Sequence, residues 1–255
     1  MTKVNSKMTV LITGATGGIG FSLALEYAEE GALLILLGRD EEKLKTVSFE
    51  CEKRGAEVKV YTLDLSSIDA SLLVSNEITK AYNIDLLISN AGTTNCTQNG
   101  EIERWGKIES LITINLLGAL AISHAVIQSM QERGSGHVAY VSSLGAYYGM
   151  PLTPAYCASK AGLKAYAEAM RGLLASQSIS VTLVAPGFVK TSLSDQFLGS
   201  KPFMISADEA ARRIKRGLDR KKRVIAFPFP LMLGMRLLAF LPVGLSDFIL
   251  ARLKY

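Results

Sequence analysis

Cysteine and histidine are scarce in this chain, which has 3 cysteines and 2 histidines among its 255 residues. Cys51, Cys96 and Cys157 are far apart and form no C-x-x-C pair, so neither a disulfide framework nor a cysteine zinc site is indicated. With only His124 and His137, an H-E-x-x-H zinc site is excluded and a Ser-His-Asp triad has little support. We therefore expect no metal site, a reducing compartment and a cytoplasmic protein.

The apolar C-terminal part lacks an uncharged run long enough to span a membrane. Its uncharged stretches are 224–235 and 237–246, and prolines interrupt both, whereas a spanning helix needs about 20 apolar residues. Residues 1–7 contain no apolar segment of the kind found in a secretory signal. We expect neither a spanning segment nor a signal, although the C-terminal stretch could lie in a membrane interface or a subunit contact.

Positive charge is concentrated in one segment. The chain carries a net charge of +5, but residues 212–223 contain eight bases and one acid, so the rest of the chain sums to −2. This distribution argues against a nucleic-acid-binding face. Three interpretations of 212–250 stay open: a solvated helix face, a peripheral contact with an anionic membrane, and a subunit interface or pocket lid.

Short apolar runs alternate with segments of helical period along most of the chain. The runs predicted to be strands that are apolar throughout are Val10–Thr13, Leu33–Leu37, Val58–Leu63, Leu86–Ser89, Val138–Val141 and Val181–Ala185. Helices are predicted at about 18–30, 40–54, 67–82, 103–133 and 155–177, and a loop over 186–206 precedes a basic helix from about Ala207 and a strand at Val224–Phe227.

This alternation predicts an α/β fold with a Rossmann-type doubly wound parallel sheet of about seven strands and helices on both faces. A length of 255 residues and a hydrophobic share of 49% suit one such unit. We expect a single domain over residues 1–255, with a basic and apolar C-terminal extension at about 207–255.

A glycine-rich turn follows the first predicted strand, with Gly14, Gly18 and Gly20 before a helical run. Glycines there let the backbone turn sharply and approach a pyrophosphate, while the helix N-terminus offers N–H donors. The spacing differs from G-x-G-x-x-G, and no Lys-Ser/Thr pair follows as in a P-loop. The strand–turn–helix context favours nucleotide binding over a purely structural turn.

The end of the second predicted strand bears on the choice of nucleotide. An acid there would bind the ribose hydroxyls and repel a 2′-phosphate, whereas an arginine offers a forked cation to that phosphate. The chain has Gly38 followed by Arg39, which favours NADP, and Asp40 is predicted to be a helix N-cap.

A tyrosine and a lysine four residues apart, Tyr156 and Lys160, would share one face of a helix. An ammonium beside a phenol favours the phenolate, so we expect the pKa of Tyr156 to lie below 10. Ser143, thirteen residues upstream at the end of a strand, could hold a carbonyl oxygen while Tyr156 gives it a proton.

Together these motifs resemble the classical short-chain dehydrogenase/reductase family. The matches occur in the family's order over residues 9 to about 191: Thr13-Gly14-x3-Gly18-x-Gly20, Asp64, Asn90-Ala91-Gly92, Asn115, Ser143, Tyr156 with Lys160, and Pro186-Gly187. One departure is Ser89, where the family often has a second asparagine.

The resemblance implies roles for individual residues. Asn115, Ser143, Tyr156 and Lys160 would be catalytic, with Asn115 bending its helix to hold a water in a proton relay. Asp64 would bind the adenine, Thr16 and Arg39 a 2′-phosphate, Lys160 the nicotinamide ribose, and Thr191 the nicotinamide end. The full cofactor-binding set is Gly14, Thr16, Gly18, Ile19, Gly20, Arg39, Asp64, Leu65, Asn90, Ala91, Gly92, Tyr156, Lys160, Pro186, Gly187, Val189 and Thr191.

The sequence thus predicts an NADP(H)-dependent carbonyl reductase or alcohol dehydrogenase, with NADP(H) preferred over NAD(H) and no nucleic-acid partner. Phe, Leu and Met in the segments that usually shape the family's substrate pocket indicate an apolar carbonyl or alcohol substrate, with long-chain acyl, sterol-like and aromatic ketones left open. By analogy we expect a homo-oligomer, a dimer or tetramer. The alternatives are a catalytically silent NADP-binding sensor or scaffold and a membrane-docking protein.

Overall fold

The computed structural model describes residues 7–97 and 101–253. Its centre is a seven-stranded sheet in the order β3-β2-β1-β4-β5-β6-β7, with every neighbouring pair parallel. The strands are β1 (Thr9–Thr13), β2 (Leu33–Gly38), β3 (Glu57–Thr62), β4 (Leu86–Ser89), β5 (Gly136–Val141), β6 (Ile179–Pro186) and β7 (Val224–Phe227). The strand order reverses between β1 and β4, and such a switch point opens a crevice at the carboxyl ends of the strands. The doubly wound prediction is confirmed.

Helices cover both faces of the sheet, as the buried clusters show. Helices α1, α2 and α8 pack on one face, and α3, α5 and α6 pack on the other. The helices are α1 (Gly18–Ala28), α2 (Glu41–Glu52), α3 (Ile68–Ala81), α4 (Trp105–Ile112), α5 (Ala119–Arg133), α6 (Pro154–Leu173), α7 (Ser192–Asp195), α8 (Ala207–Asp219), α9 (Phe229–Leu238) and α10 (Val243–Leu253). Asp40 caps α2 by accepting the Lys43 N–H at 3.1 Å, as predicted.

One strand differs from its prediction. The run at 58–63 was expected to be buried on both faces, but β3 is the edge strand of the sheet, and most of its residues are exposed or half-buried. The alternation of Glu57 and Lys59 with Val58 and Val60 is typical of an edge strand with a solvated face.

The long helix predicted at 103–133 is divided in the structure. It starts at Trp105, and a π-helical turn, Thr113–Gly118, separates α4 from α5 and contains Asn115. The span Trp105–Arg133 is long and apolar enough to cross a membrane by composition, a property that the sequence interpretation missed. More than half of its most apolar window is buried against the rest of the protein, which is equally typical of a core helix.

The basic helix and the last strand lie where they were predicted. Strand β7 pairs with β6 at the edge of the sheet, and the elements beyond it are α9 and α10. The predicted loop at 186–206 contains the short helix α7 and a bridge between Val189 and Ile205. The predicted helix at 155–177 ends at Leu173.

The strand β7 also separates the two halves of the 212–250 segment. Residues 220–223 come just before β7, at the amino edge of the parallel sheet, whereas α9 follows β7 at the carboxyl edge. The end of the basic cluster and the apolar helices therefore lie at opposite edges and do not form one surface.

Candidate active site

A cavity of about 1040 Å³ opens at the carboxyl ends of the strands, where the strand order reverses. Almost all of the predicted site residues line it: Gly14, Thr16, Gly18, Ile19, Arg39, Asp64, Leu65, Asn90, Ala91, Gly92, Ser143, Tyr156, Lys160, Pro186, Gly187, Val189 and Thr191. The two that do not are Gly20 and Asn115. The fold thus brings residues from six strand ends into one cavity.

Gly20 lies behind the glycine-rich turn rather than at the cavity wall. A Cβ on Gly20 would lie 2.2 Å from the carbonyl oxygen of Gly14 and 2.8 Å from Nδ2 of Asn90. That amide donates to the carbonyls of Thr13 and Gly14, at 3.1 and 3.2 Å. Gly20 therefore lets α1 pack closely under the turn, and Asn90 holds the turn against β4.

Asn115 lies beneath the site, fully buried in the π-helical turn. Its Oδ1 accepts the Thr93 N–H at 2.7 Å, and its Nδ2 donates to the Thr93 carbonyl at 2.9 Å and to Ser159 Oγ at 3.0 Å. The side chain thus connects the loop after β4 to α6, which carries Tyr156 and Lys160. The π-helical turn interrupts the regular helix at Asn115, the position where the resemblance implied a bend.

The end of the cavity near α1 and α2 has the chemistry of a nucleotide phosphate site. The N-cap of α1 is Gly17, so no side chain caps the helix, and its first turn carries no acid. The free N–H donors at this end of the helix are therefore available to a bound anion. Thr16 lies directly over Gly38, where a Cβ would be 3.1 Å from Thr16 Cγ2, and Arg39 and Lys43 also line this end. These residues fit a dinucleotide with an additional phosphate.

Ser143, Tyr156 and Lys160 lie where the nucleotide end meets the rest of the cavity. Ser143 follows β5, and Tyr156 and Lys160 are one turn apart on α6, with the Lys160 Nζ atom 5.9 Å from the Tyr156 ring centroid. Lys160 is buried, and its ammonium donates to the Val141 carbonyl at 2.9 Å. The lysine is therefore fixed on β5 and cannot swing into solvent.

The pKa of Tyr156 differs in direction from the expectation. Burial raises the pKa of Tyr156 to about 12, and the Ser143 hydroxyl offsets this only in part. Burial also lowers the pKa of Lys160 to about 8. The expected lowering of the phenol pKa was wrong, because loss of water around the phenol dominates the shift. A raised pKa keeps Tyr156 protonated at neutral pH, the form that a proton donor needs.

The other end of the cavity is apolar and is closed by the segment after Pro186-Gly187 and by the C-terminal helices, the segments that the resemblance assigned to the substrate pocket. Phe188 and Phe197 form a tilted ring pair with centroids 5.2 Å apart. Met235 and Leu238 of α9 and Leu250 of α10 pack against Leu144 near the site. Ser246 Oγ donates to the Leu238 carbonyl at 2.8 Å and joins the two helices. Their apolar composition was the sequence signal for this wall.

Charge is confined to the nucleotide end of the cavity. Within residues 7–97 and 101–253, the charged residues that line it are Arg39, Asp40, Lys43, Asp64 and Lys160. None comes from α7, α9 or α10. The cavity thus combines a polar half with an uncharged half, and the hydroxyls of Ser143 and Tyr156 lie between them.

Comparison with known proteins decides the family. The family model described as short chain dehydrogenase matches residues 8–200. The chain belongs to the short-chain dehydrogenase/reductase family. An uncharacterized oxidoreductase of Myxococcus xanthus is 33% identical over 250 residues, which cover 98% of each chain. The 3-oxoacyl-acyl-carrier-protein reductase FabG of Rickettsia felis is 33% identical over 188 residues, 74% of this chain and 75% of the relative.

A solved short-chain dehydrogenase shows the same architecture. The enzyme of Sphingobium yanoikuyae in complex with NADPH has a TM-score of 0.79 and 26% identity, and the match covers 87% of this chain and 88% of that one. The protein is thus an oxidoreductase of the short-chain dehydrogenase/reductase family with a Rossmann-type sheet.

Proposed function

We propose that this short-chain dehydrogenase/reductase interconverts a carbonyl compound and the corresponding alcohol with NADP(H). The observation that carries the proposal is the position of Ser143, Tyr156 and Lys160 at the boundary between a basic nucleotide end and an uncharged apolar end of one cavity. A carbonyl bound in the apolar end would meet the two hydroxyls at this boundary.

Arg39 and Thr16 support NADP(H) over NAD(H). Arg39 directly follows β2, and Thr16, from the turn after β1, lies over Gly38 at the same strand end. An acid at this strand end would bind the ribose hydroxyls, whereas a guanidinium is suited to a phosphate. Asp64 would bind the adenine through its cavity side, since its Oδ1 already accepts the Ser66 N–H at 2.9 Å. The Sphingobium neighbour with NADPH is consistent with this assignment.

The proton chemistry belongs to residues of this chain. In the reduction direction, Ser143 would donate a hydrogen bond to the carbonyl oxygen, and Tyr156 would give that oxygen its proton. Lys160 would bind the nicotinamide ribose and place a positive charge beside the phenol, and Asn115 would position the proton relay. The bound cofactor would supply the hydride. Proton transfer from a placed side chain accounts for typically 10²–10⁴-fold in rate.

The substrate is proposed to be an uncharged, apolar carbonyl compound or alcohol. Within the described residues, no charged side chain of α7, α9 or α10 lines the cavity, so an ionised carboxylate or phosphate near the reacting carbon would lose its hydration without a partner. Long-chain acyl, sterol-like and aromatic ketones fit this chemistry, and the Rickettsia relative is named as a reductase of 3-oxoacyl groups.

A panel of carbonyl and alcohol substrates with NADPH, NADH and their oxidised forms, followed at the nicotinamide absorbance, tests the proposal. Turnover of apolar ketones with NADPH would support it. NADPH binding without turnover of any substrate would favour the catalytically silent sensor or scaffold. The buried, bonded Lys160 and the presence of Ser143 in the cavity lining favour the enzyme, because cofactor binding alone requires no Ser143.

We propose that a peripheral membrane contact, if made, uses an apolar rim on α9, α10 and the segment before α8. The rim consists of the exposed residues Phe203, Phe229, Leu233, Leu237, Phe240 and Phe248. Phe203 and Leu237 also line the cavity, so the exposed surface continues into the apolar interior. Exposed aromatic and aliphatic groups of this kind insert into the headgroup boundary of a bilayer.

Flotation with vesicles tests the rim. Because residues 220–223 lie at the opposite sheet edge, we expect binding that resists high salt and also occurs with zwitterionic vesicles. A Phe229→Ser, Phe240→Ser double variant should lose binding, and the matched Arg220→Ser, Arg223→Ser variant should keep it. Absence of flotation would contradict the membrane contact, and a rim variant that only changes oligomer size would identify the rim instead as a contact between copies of the chain. The proposed dimer or tetramer is measured in the same samples by sedimentation.

A further inference from the structure

Glu103 is a buried acid that the proposed chemistry does not use. It lies in the loop between β4 and α4 and is 8% exposed. Its Oε2 accepts the Ala155 N–H at 2.9 Å, and its Oε1 has no hydrogen-bond partner among the described residues. Burying a carboxylate with one unpartnered oxygen is costly. The position therefore requires a reason.

The start of α6 supplies that reason. The side chain of Thr153, the N-cap residue, accepts no backbone N–H of the helix and lies instead 3.6 Å from the Cys157 thiol, and Pro154 has no N–H. Ala155 carries the first free donor, and Glu103 satisfies it from 52 residues away in sequence. A carboxylate at a helix N-terminus also interacts favourably with the helix dipole. Glu103 thus acts as the cap that α6 lacks.

Thr97, before Glu103 in the chain, is also bonded to the segment before α6. Thr97 donates from its N–H to the Leu152 carbonyl at 2.8 Å, and its hydroxyl lies 3.3 Å from the Pro151 carbonyl. At the other end of the loop, both the N–H and the carbonyl of Thr93 are hydrogen-bonded to the Asn115 side chain. The loop therefore connects the π-helical turn to the first turn of α6.

We propose that Glu103 is a positioning residue that fixes the Tyr156 phenol through the Ala155 N–H. Ala155 immediately precedes Tyr156, so the orientation of its peptide sets the direction in which the phenol enters the cavity. Glu103 does not line the cavity and touches neither the nucleotide end nor the apolar wall. This proposal rests on the proposed function, because it assigns Tyr156 as the proton donor.

The expected effect is a loss of turnover with little change in binding. Glu103→Ala should lower kcat at least tenfold, while the Kd for NADPH and the KM for a ketone stay within about twofold. Glu103→Gln keeps an acceptor oxygen for the Ala155 N–H and should stay within about threefold of wild type. Ser67→Ala, which removes the N-cap of α3, is the matched control for the loss of a cap and should leave kcat unchanged.

A measurement without substrate accompanies the kinetics. Hydrogen exchange of the Ala155 amide should become at least tenfold faster in Glu103→Ala and stay slow in Glu103→Gln and Ser67→Ala. Alkylation of the buried Cys157, read by peptide mass spectrometry, should also be faster in Glu103→Ala than in the other two variants. Cys157 lies in the first turn of α6, and its Sγ accepts the Met150 N–H.

Three results would overturn the assignment of Glu103: unchanged Ala155 exchange in Glu103→Ala, faster exchange with unchanged kcat, or a Glu103→Gln variant as impaired as Glu103→Ala. A wild-type protein that turns over no carbonyl or alcohol substrate would instead overturn the proposed function. In that case the exchange data still decide whether Glu103 caps α6.

Discussion

Gly92 and Lys160 approach each other so closely that a Cβ on Gly92 would lie 3.2 Å from the Lys160 Nζ atom. The same Cβ would lie 3.3 Å from Asn115 Oδ1. The absence of a side chain at Gly92 therefore lets both the Lys160 ammonium and the Asn115 amide pack against the backbone of Gly92.

Gly92→Ala should disturb this arrangement without unfolding the protein. The methyl group would displace the Lys160 ammonium by a few tenths of an ångström, and we expect kcat to fall about tenfold. The matched control is Gly106→Ala in α4, where a Cβ would meet no atom within 4 Å and alanine favours the helix by about 1 kcal/mol. Steady-state kinetics and urea unfolding of both variants test this. Normal kcat in Gly92→Ala would contradict it.

Cofactor preference should depend on Arg39. NADPH should bind at least tenfold more tightly than NADH, which corresponds to about 1.4 kcal/mol, and Arg39→Asp should abolish or reverse the difference. The control variant is Arg54→Asp, because Arg54 lies just after the C-terminal end of α2 and does not line the cavity. This variant should leave the preference for NADPH unchanged. Calorimetric titration of the three proteins with both cofactors decides the matter, and equal affinities in the wild type would refute the assignment.

The two reaction directions should differ in their pH dependence. Because burial raises the pKa of Tyr156 to about 12, the phenol stays protonated and ketone reduction should be nearly independent of pH from 6 to 7. Alcohol oxidation needs the phenolate and should rise with pH over the same range. Burial lowers the pKa of Lys160 to about 8, so reduction should decline as the pH passes 8 and the ammonium loses its proton. A reduction rate that already falls between pH 6 and 7 would contradict this account.

His137 should make the fold sensitive to mild acid. Its Nε2 lies 2.8 Å from Thr182 Oγ1, and burial lowers the pKa of His137 to about 4. The unfolded chain binds the proton near pH 6.5 and the folded chain does not, so the free energy of unfolding falls as pH drops from 6.5 towards 4. Between pH 7 and 5 the loss should be about 2 kcal/mol.

Urea unfolding at both pH values measures this loss. His137→Gln should be less stable at pH 7 but should show a smaller decrease on going to pH 5. His124 is exposed on α5, so His124→Gln should behave like the wild type. An unchanged decrease in His137→Gln would show that other groups cause the acid sensitivity.

The motif residues could be predicted from the sequence because each has a local signature. The glycine turn, Asn90-Ala91-Gly92 and the Tyr156–Lys160 spacing are patterns of neighbouring residues, and parallel strands bring their carboxyl ends to one edge. The exposed edge position of β3 could have been noticed from Lys59, but its place in the sheet depends on the strand order.

Other features depend on contacts that are distant in sequence. The cap on α6 joins residues 103 and 155. The cavity wall from α9 and α10 forms only when residues 229–250 pack against Leu144 and against Ala185 of β6. The direction of the Tyr156 pKa shift depends on how much water the folded chain excludes. The spacing of Tyr156 and Lys160 in the sequence indicates that a positive charge lies near the phenol, but it does not indicate how deeply the phenol is buried.

The central claim is that Tyr156 gives the proton to a carbonyl oxygen, and the Tyr156→Phe variant tests it most directly. Phenylalanine keeps the ring and removes only the hydroxyl, so turnover with the best ketone of the substrate panel should fall at least 10²-fold while the Kd for NADPH stays within about twofold. Near-normal turnover in Tyr156→Phe, with NADPH bound as in the wild type, would contradict the account.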